Sequence, residues 1–328
     1  MVKCVRCGSR AAYYVSYVRG GFCRDHYLEY IEDRVVRTIE KYKMIPRGSK
    51  LVVAISGGKD SVALLHILVK RRDEIGYGEL VAVHINLGIP GYSEEAERVF
   101  WENCRVLNVR CIKVDLRELL GVGVPDLSKL SGRPPCSVCG LVKRYVLNAI
   151  ALALGADVLA TGHHLDDMLV YMLKDILSSN TEELSKLIPV SKGVEGLTVT
   201  RIRPLFEVYE ENILNYAIAS NISFVAGECP LKHLGAVEVE SREYIERLER
   251  RTPGFKLTAI RNILRTIRRE GEGLGATPSK CQLCGMPSRE NICSFCKLTE
   301  KTLGKPMGRH VVESLARIAS LTPASSLS

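Results

Sequence analysis

Short apolar runs alternate along this chain with longer stretches in which apolar residues recur every three or four positions. The short runs are typical of buried strands, and the periodic stretches are typical of amphipathic helices. The predicted strands are residues 51–55, 79–86, 110–115, 157–161 and 198–202. The predicted helices are residues 60–74, 93–107, 141–154 and 165–178. This alternation predicts an α/β fold with a doubly wound parallel sheet that helices cover on both faces.

The loop after the first predicted strand is the most specific signal in the sequence. It follows Ala54 and Ile55 and reads Ser56-Gly57-Gly58-Lys59-Asp60-Ser61. The two glycines let the backbone approach phosphate oxygens, and the N–H groups of the following helix point to the same place. The serines add hydroxyl donors, Lys59 adds positive charge, and Asp60 is placed to hold Mg²⁺ or to orient the loop. We therefore predict that Ala54 and residues 56–61 bind a nucleotide, although a glycine turn that only caps a helix is the simpler alternative.

Two other strand ends should lie at the same edge of the sheet, because ligands of such sheets bind at the carboxyl ends of the strands. Backbone groups of His84 and Ile85, at the end of the second strand, are predicted to contact adenine. Gly162, after the fourth strand, is predicted to permit a close approach of the nucleotide. Asp166 and Asp167 are candidates for binding Mg²⁺ or acting on the acceptor, or they only cap the helix that follows.

The twelve cysteines favour metal sites over disulfides in a chain of this length. Two sets of four ligands with two-residue spacers lie near the ends of the chain: Cys4, Cys7, Cys23 and His26, and then Cys281, Cys284, Cys293 and Cys296. Each short turn delivers two ligands to one side of a tetrahedral zinc ion, and four protein ligands leave no open position. Both sets are therefore predicted to be structural zinc sites. Cys104 and Cys111 are predicted to be packed small hydrophobic residues.

A third set has a different spacing. Cys136 and Cys139 precede the predicted helix 141–154, and the next unassigned thiol is Cys229. Three thiolates can hold an iron–sulfur cluster with one iron open to an exogenous sulfur species, or act as a redox pair with a resolving cysteine, or form an incomplete zinc site. The spacing does not distinguish these possibilities. Lys143 lies one helical turn after Cys139 and either faces the same site or is an ordinary solvated lysine.

The charge balance favours a polyanionic partner. The chain has 46 basic and 37 acidic residues and a net charge of +9. Eight arginines at helical spacings are predicted to contact a phosphate backbone, although pairing with glutamates of the same helix explains some of them. They are Arg242, Arg247, Arg250, Arg251, Arg261, Arg265, Arg268 and Arg269. No segment is predicted to span a membrane and no signal peptide is predicted, so we expect a soluble cytoplasmic protein.

Four regions follow from these patterns. They are a zinc finger at 1–30, a catalytic domain at 31–228, a basic helical region at 229–275 for RNA, and a zinc ribbon with a tail at 276–328. The tail after Thr322 is predicted to be disordered.

The SGGKDS loop, the cysteine pair with Lys143, the segment Gly162 to Asp167, Cys229 and the terminal knuckles together resemble the PP-loop tRNA 2-thiolation family. The likeness is to the TtuA-type 2-thiouridine synthetases and their wobble-uridine relatives. It implies a 4Fe–4S cluster on Cys136, Cys139 and Cys229, two zinc ions, and ATP with Mg²⁺. It also implies catalytic roles for Lys143 and Asp167, a tRNA substrate, a ubiquitin-like thiocarboxylated sulfur carrier, and a homodimer.

The resemblance also implies a reaction. The 2-carbonyl oxygen of a tRNA uridine attacks the α-phosphate of ATP and releases pyrophosphate, and sulfur then displaces AMP to give 2-thiouridine. One departure is His164, where close relatives often have Asn and the TtcA-type cytidine thiolases have a similar His pair. Those enzymes generally lack the terminal ribbons. Cytidine thiolation, a cluster-free persulfide route, a PP-loop amidotransferase or lysidine-type synthetase, and a non-enzymatic zinc-ribbon RNA-binding protein remain alternatives.

Overall fold

The secondary structure alternates between strands and helices as the sequence predicts. The computed structural model describes residues 2–233, 235–270 and 278–321. The strands are β1 (Tyr13–Val15), β2 (Gly20–Phe22), β3 (Lys50–Ile55), β4 (Glu79–Asn86), β5 (Arg110–Asp115), β6 (Val158–Ala160), β7 (Val190–Ser191), β8 (Thr200–Ile202), β9 (Ser279–Lys280) and β10 (Pro287–Ser288). The tail after Thr322 and the side chains of Arg268 and Arg269 lie outside the described part of the chain, so the structure does not bear on those predictions.

The helices occupy the segments between the strands and both ends of the fold. They are α1 (Arg24–Lys41), α2 (Lys59–Lys70), α3 (Arg72–Ile75), α4 (Tyr92–Leu107), α5 (Leu116–Leu120), α6 (Val124–Ser131), α7 (Pro135–Ala153), α8 (Leu165–Leu177), α9 (Thr181–Leu184), α10 (Glu210–Ala219), α11 (Ala236–Arg251), α12 (Phe255–Glu270), α13 (Ser294–Leu303) and α14 (Gly308–Leu321).

The main sheet has the strand order β5-β4-β3-β6-β8-β7. The first five of these strands are parallel to their neighbours, and β7 pairs antiparallel with β8. The five strands predicted from the apolar runs are therefore confirmed. The edge strand β7 was missed because it has only two residues, too few to show a hydrophobic pattern.

Alternate residues of the strands pack into two separate cores. Leu51, Val53 and Ile55 pack with α1, α2, α4 and α10 on one face of the sheet. Val52 packs on the other face with α7 and the C-terminal helices α13 and α14. Because both faces are covered, both sets of strand positions are apolar. The predicted doubly wound sheet is confirmed.

Helix α7 begins six residues before its predicted start. Pro134 is the N-cap, with φ −54° and ψ 138°, and Pro135 occupies the first helical position. Proline is tolerated there because the first N–H groups of a helix have no intrahelical acceptor. Cys136 and Cys139 therefore lie within the beginning of α7, not before it.

Among the described residues, α7 is also the one helix that is long and apolar enough to cross a membrane by length and composition. The expectation that no segment has this character is therefore wrong. The apolar character of α7 has another cause, because Val142, Val146 and Ile150 are fully buried in the core between the sheet and the C-terminal helices.

Cys104 and Cys111 form a disulfide, with their Cα atoms 6.2 Å apart. The prediction that they are only packed small hydrophobic residues is therefore wrong. Cys104 of α4 is buried in the core, and Cys111 of β5 packs against the same core. The turn after α4 passes through Asn108 in the left-handed region, at φ 48°. This turn sends β5 back alongside the end of α4, so the two thiols meet.

The two ends of the chain are attached to the sheet domain by packing. Helix α1 runs without interruption through residue 30, where the predicted boundary of the first zinc finger falls. At the other end Phe295 of α13 stacks on Tyr145 of α7, with ring centroids 3.9 Å apart. Each predicted zinc module therefore shares a core with the sheet domain.

Candidate active site

The loop between β3 and α2 has a conformation that requires glycine. Gly57 has φ +87°, a value that side chains other than glycine rarely adopt. A Cβ atom added at Gly57 would lie 2.9 Å from the Cβ and 3.0 Å from the Cα of Ala96. Both the backbone angle and the contact with α4 therefore exclude a side chain.

The two serines hold this loop together. The Ser61 hydroxyl donates to the Gly58 carbonyl at 3.1 Å and accepts the Ser56 N–H at 3.1 Å. Because a hydroxyl has one hydrogen, Ser61 shapes the loop before it can donate to a ligand. Gly58 is the N-cap of α2 and provides no capping side chain. The amides of the first turn of α2 therefore remain available to an anion.

Lys59 is held by two carboxylates. Its ammonium lies 3.1 Å from Asp60 Oδ2 and 2.8 Å from Glu210 Oε1 of α10. Burial opposes the charged form, but these two acids raise the pKa of Lys59 above its ordinary value. Lys59 is therefore cationic at neutral pH. Glu210 belongs to none of the sequence motifs.

Asp60 has a carboxylate oxygen that lacks a donor. Oδ1 is buried and has no hydrogen-bond partner among the described residues. Burial raises the pKa of Asp60, and the charges of His164 and Lys59 oppose this shift. Carboxylate oxygens without donors suit a hard divalent cation such as Mg²⁺. The residues present therefore fit the predicted magnesium ion.

Asp167 lies in the same charged network. It accepts a hydrogen bond from Arg242 of α11 at 2.5 Å, and Arg242 also donates to Glu210 at 3.2 Å. His164 Nε2 lies 3.3 Å from the Asp167 carboxylate, and His164 is the N-cap of α8. Lys59, Glu210, Arg242 and Asp167 thus connect four helices around the loop.

Asp166 has a different role from its neighbour. It is buried, accepts the Glu210 N–H at 2.7 Å, and forms an ion pair with Lys256 at 2.5 Å. Burial alone would raise its pKa, but His164 and Lys256 hold the pKa of Asp166 well below its usual range. Asp166 therefore fixes α8 to α10 and α12, and of the two predicted acids Asp167 is the one in the network with Lys59.

Gly162 lets two loops pack against each other. A Cβ added there would lie 2.9 Å from Ser61 N and 3.0 Å from Ser61 Cα. The next residue, His163, forms a hydrogen bond between its Nδ1 atom and the Thr161 hydroxyl oxygen, 3.0 Å away. The surrounding protein and the charge of Arg203 lower the pKa of His163, although part of its ring remains open to solvent. His163 is therefore neutral at pH 7.

His84 supports the nucleotide loop from inside the sheet. Its ring is buried, stacks on Phe100 and lies with Nδ1 2.9 Å from the carbonyl of Ile55, the last residue of β3. The side chain thus belongs to the core. The backbone of His84 and Ile85 lies between β3 and β5, and its predicted contact with adenine stays a prediction.

The three central thiols gather beside this loop. Val225 donates to the Gly57 carbonyl at 3.0 Å, which anchors the segment that leads to Cys229. Burial raises the pKa of Cys139, the charge of Lys143 lowers it, and the charges of Cys229 and Cys136 raise it. The Cys136 thiol lies 3.6 Å from the carbonyl of Leu231, two residues after Cys229, so this segment runs from the nucleotide loop to the start of α7.

The three sulfur atoms are not packed as tightly as the ligands of a single ion. Among the described residues, only the two terminal sets have ligand atoms that all lie within 4.8 Å of one another. The thiolates of an iron–sulfur cluster bind different irons and stand further apart than those of one zinc ion. The arrangement is therefore compatible with a cluster and does not match a closed zinc site.

Side chains from three helices connect the thiols to the nucleotide loop. The charge of Lys143 acts on both Cys139 and His163. Burial raises the pKa of Tyr171 to about 12, and the charges of Asp167 and Cys136 contribute to this shift. Burial, Cys229 and Cys139 raise the pKa of Tyr92. The segment from Val225 to Leu231 therefore brings the start of α7, with Cys136, to the side of the nucleotide loop. Sequence reasoning missed both tyrosines because neither belongs to a polar motif.

The two terminal sets have the spacing of tetrahedral metal ligands. The Cys7 and Cys23 sulfurs are 3.8 Å apart, and the Cys284 and Cys293 sulfurs are 3.7 Å apart. Zinc–sulfur bonds of about 2.3 Å at tetrahedral angles put two sulfurs roughly 3.8 Å apart. His26 directs Nδ1 to Cys4 and Cys23 at 3.5 and 3.2 Å. Both sets therefore fit zinc.

Comparison with known proteins agrees with this geometry. Residues 29–230 match the family model of the PP-loop domain. The chain is 37% identical over 297 residues to the tRNA-5-methyluridine(54) 2-sulfurtransferase of Pyrococcus horikoshii, covering 90% of this chain and 93% of the relative. It is 36% identical over 296 residues to the enzyme of the same name from Thermus thermophilus, covering 90% of each.

A solved structure has the same fold. The U34-tRNA thiolase NcsA from Methanococcus maripaludis with its [4Fe-4S] cluster superposes with a TM-score of 0.76 at 24% identity, covering 93% of this chain and 96% of that chain. The fold and the loop thus define an ATP-binding protein of the PP-loop class. Within this class, the chain belongs to the family of tRNA 2-thiolation proteins.

Proposed function

We propose that this protein is an ATP-dependent tRNA uridine 2-sulfurtransferase. The observation that carries the proposal is the segment 225–231, which contains Cys229 and joins the Gly57 carbonyl of the nucleotide loop to the Cys136 thiol at the start of α7. A 2-carbonyl oxygen is a poor leaving group, so it must be activated before sulfur can replace it. An activating site and a sulfur-holding site in one pocket satisfy this requirement. The names of the relatives support the same reaction.

The proposed reaction has two displacement steps. The uridine oxygen attacks the α-phosphorus of ATP, and the bond to the β-phosphate breaks to release pyrophosphate. A sulfide equivalent then attacks C2, and the C–O bond breaks to release AMP. The amides of residues 57–60 and the ammonium of Lys59 bind the developing phosphate charge. One well-placed donor of this kind contributes about 3–4 kcal/mol.

The protein has candidate ligands for Mg²⁺, for a 4Fe–4S cluster and for two zinc ions. Asp60, with its unpartnered Oδ1, would hold Mg²⁺ at the triphosphate. Cys136, Cys139 and Cys229 would hold a 4Fe–4S cluster, which supplies an iron with an open position for sulfur. The terminal sets would each hold one structural zinc ion.

Lys143 and Asp167 are the proposed catalytic side chains. The charge of Lys143 lowers the pKa of both Cys139 and His163, and Asp167 lies beside His164 and Arg242. From these positions they orient the base and move the proton on its N3. Loss of a group with this role lowers rate by roughly a hundredfold to ten-thousandfold.

The RNA is expected to contact α11 and α12. Arg247, Arg250 and Arg251 are exposed and form no ion pair among the described residues. The expectation that glutamates of α11 pair with these arginines is wrong. Glu246 pairs instead with Lys256, and Glu249 accepts from the amides of Gly254 and Lys256.

Two other arginines of this region form ion pairs within the protein. Arg242 pairs with Asp167, and Arg261 pairs with Glu207. The cationic surface available to RNA is therefore narrower than the eight predicted arginines. We further propose a cytoplasmic location, a homodimer, and a ubiquitin-like thiocarboxylated carrier as sulfur donor.

Mass spectrometry of nucleosides tests the function. Transfer RNA incubated with the anaerobically purified protein, ATP and sulfide should gain a uridine with sulfur in place of oxygen, at one position. Omission of ATP should abolish the product. Unmodified uridine in every digest, with intact protein and iron, would refute the proposal, and thiolated cytidine would redirect it to the TtcA-type reaction.

Two variants test the assigned side chains. Lys143→Ala and Asp167→Asn should each lose at least a hundredfold in rate while ATP binding and iron content stay unchanged. Lys129→Ala, on α6, is the matched control and should keep full activity. Full thiolation by both active-site variants would show that the roles are wrong. Brown protein with about four irons per chain supports the cluster, and active protein without iron supports a persulfide route.

A further inference from the structure

A row of cations without carboxylate partners lies on α7 and β8. Arg144, Arg201 and Arg203 form this row, which we call the α7–β8 cation row. Among the described residues, the side chains of Arg144 and Arg201 form no ion pair and no hydrogen bond. The charge of Arg144 is the one charged influence on Arg201, and both it and burial lower the pKa of Arg201.

The register of the two elements shows why the arginines align. The Asn148 side chain of α7 contacts the segment just before β8. It donates a hydrogen bond to the Leu197 carbonyl at 3.0 Å and accepts one from the Val199 N–H at 3.1 Å. Helix and strand run in opposite directions here. One helical turn covers about 6 Å, as do two strand residues. Arg144 therefore stands opposite Arg201, and Arg203 continues the row.

The row leads into the active site. Ala160 pairs with Ile202 and the Thr161 N–H donates to Ile202 O at 3.1 Å, so Arg203 lies level with Thr161, two residues before His163. The charges of Arg203 and Arg201 both act on His163. At the other side, the Arg144 guanidinium folds back to within 3.3 Å of where a Cβ of Gly140 would lie. Gly140 is the residue after Cys139.

Burial increases along the row from solvent to the site. Arg144 is exposed, Arg201 is half-buried and Arg203 is 7% exposed. The Arg203 guanidinium donates hydrogen bonds to the Ile188 carbonyl and to Ser191 Oγ. Its Nε atom is buried and has no hydrogen-bond partner among the described residues. Like charges that are desolvated together without a counter-ion destabilise a fold. An anionic ligand removes this cost.

We propose that the α7–β8 cation row binds the phosphodiester backbone of the substrate RNA beside the nucleotide that enters the active site. The proposal rests on the proposed function. ATP has its own cation, Lys59, in the loop after β3, whereas the row lies with the thiols on the α7 side of the sheet. A graded series from exposed to buried suits a polymer that extends out of the pocket. Guanidinium groups bind phosphate through two parallel hydrogen bonds.

The test is RNA affinity over a salt series, measured without turnover. The variant Arg144→Gln/Arg201→Gln should bind tRNA roughly tenfold to a hundredfold more weakly, with a salt slope smaller by about 1.5. The control Arg309→Gln/Arg317→Gln removes two exposed charges from α14 and should change neither quantity by a comparable amount. ATP affinity and iron content should equal those of the wild type.

Thermal unfolding provides an independent readout. Because the row repels itself, the double variant should melt no lower than the wild type. RNA affinity and salt slope equal to those of the control would overturn the proposal. A matching loss of ATP affinity would assign the row to nucleotide phosphate, and a loss of iron would assign it to the cluster. If the wild-type protein binds tRNA but does not thiolate it, the proposed function is refuted. The comparison of tRNA affinities can still be made, because it does not require turnover.

Discussion

Gly57 connects the conformation of one residue to nucleotide binding. Its φ of +87° orients the loop amides, and its missing side chain lets the loop rest on Ala96 of α4. Gly155 has a similar φ, +63°, but a Cβ added there would meet nothing within 4 Å. The two glycines therefore separate the effect of backbone strain from the effect of a close contact.

Gly57→Ala should abolish measurable ATP binding and lower stability by more than Gly155→Ala. The second substitution carries only the left-handed strain, about 1–2 kcal/mol. The first adds a clash with α4 and displaces the loop. Calorimetric ATP titration and denaturant unfolding measure both effects. Equal behaviour of the two variants would show that the contact with Ala96 is unimportant.

Glu210 competes with ATP for Lys59. The carboxylate holds the ammonium at 2.8 Å, so the triphosphate must replace it. Glu210→Gln should therefore raise ATP affinity by roughly threefold to tenfold in the absence of RNA, since a hydrogen bond to a charged acceptor contributes about 1 kcal/mol more than one to a neutral amide. Glu211→Gln, an exposed neighbour on α10, should leave the affinity unchanged. Weaker binding by the Glu210 variant would show that Glu210 assists the nucleotide.

Residues of the loop and the cysteine pairs were predictable because their chemistry is encoded by neighbours in sequence. Glu210 was not predicted as a site residue, and Arg242 was predicted to contact RNA and not to pair with Asp167. Each acts through partners far along the chain, and glutamate or arginine in a helix usually faces solvent. The disulfide of Cys104 and Cys111 was missed because their pairing depends on how the turn after α4 redirects β5.

At the scale of elements, Glu207 joins α1 and α12 to the sheet. It accepts hydrogen bonds from Lys41, from Tyr42 at 2.6 Å, and from Arg261. Burial would raise its pKa, but Arg261, Lys41 and Tyr42 lower the pKa of Glu207 to about 2. A shift of this size corresponds to roughly 3 kcal/mol of stability at neutral pH.

Glu207→Gln should lower the free energy of unfolding at pH 7 by on the order of 3 kcal/mol. Because the folded pKa is depressed, the contribution is complete above the unfolded pKa of glutamate and is lost as pH falls through about 2. The gap between variant and wild type should therefore narrow in acid. Glu118→Gln, at an exposed carboxylate, should show no such gap. A gap independent of pH would refute the electrostatic account.

Helix α7 unites several parts of the site in one rigid element. It places Cys136 and Cys139 at its start, Lys143 and Arg144 one turn later, and Tyr145 against the C-terminal ribbon. The periodicity predicted its apolar core but not its true beginning. Proline at the first helical position permits the earlier start, and the apolar pattern contains no signal of this.

At the scale of the whole molecule, the C-terminal ribbon supports α7. Gly308 follows the ribbon, and a Cβ there would lie 2.5 Å from Cys296 Sγ and 2.8 Å from Cys284 Cβ. The N-terminal ribbon instead leads into α1, on the opposite face of the sheet. The two proposed zinc ions should therefore differ in their influence on the thiols.

Cys284→Ser should lose one zinc ion, lower the melting temperature and reduce iron content together. Cys7→Ser should lose the other zinc ion and keep more of its iron, since the N-terminal zinc finger packs with α1 on the opposite face of the sheet from α7. Removal of a structural zinc ligand withdraws much of a binding energy of roughly 10–16 kcal/mol from its module. Elemental analysis and thermal melts measure these changes. Equal iron loss in both variants would contradict the separation of the two ends.

The amino-acid sequence by itself determined the parallel sheet, the nucleotide loop, the three cysteine sets and the family. These features depend on periodicity and on residues close together in the chain, where local geometry is nearly fixed by residue type. Only the tertiary structure decided that Asp167, not Asp166, joins the network around Lys59, and that Arg144 stands opposite Arg201. Those relations depend on which strand lies beside which and in what register. Packing of the whole core sets that register, and no short segment contains it.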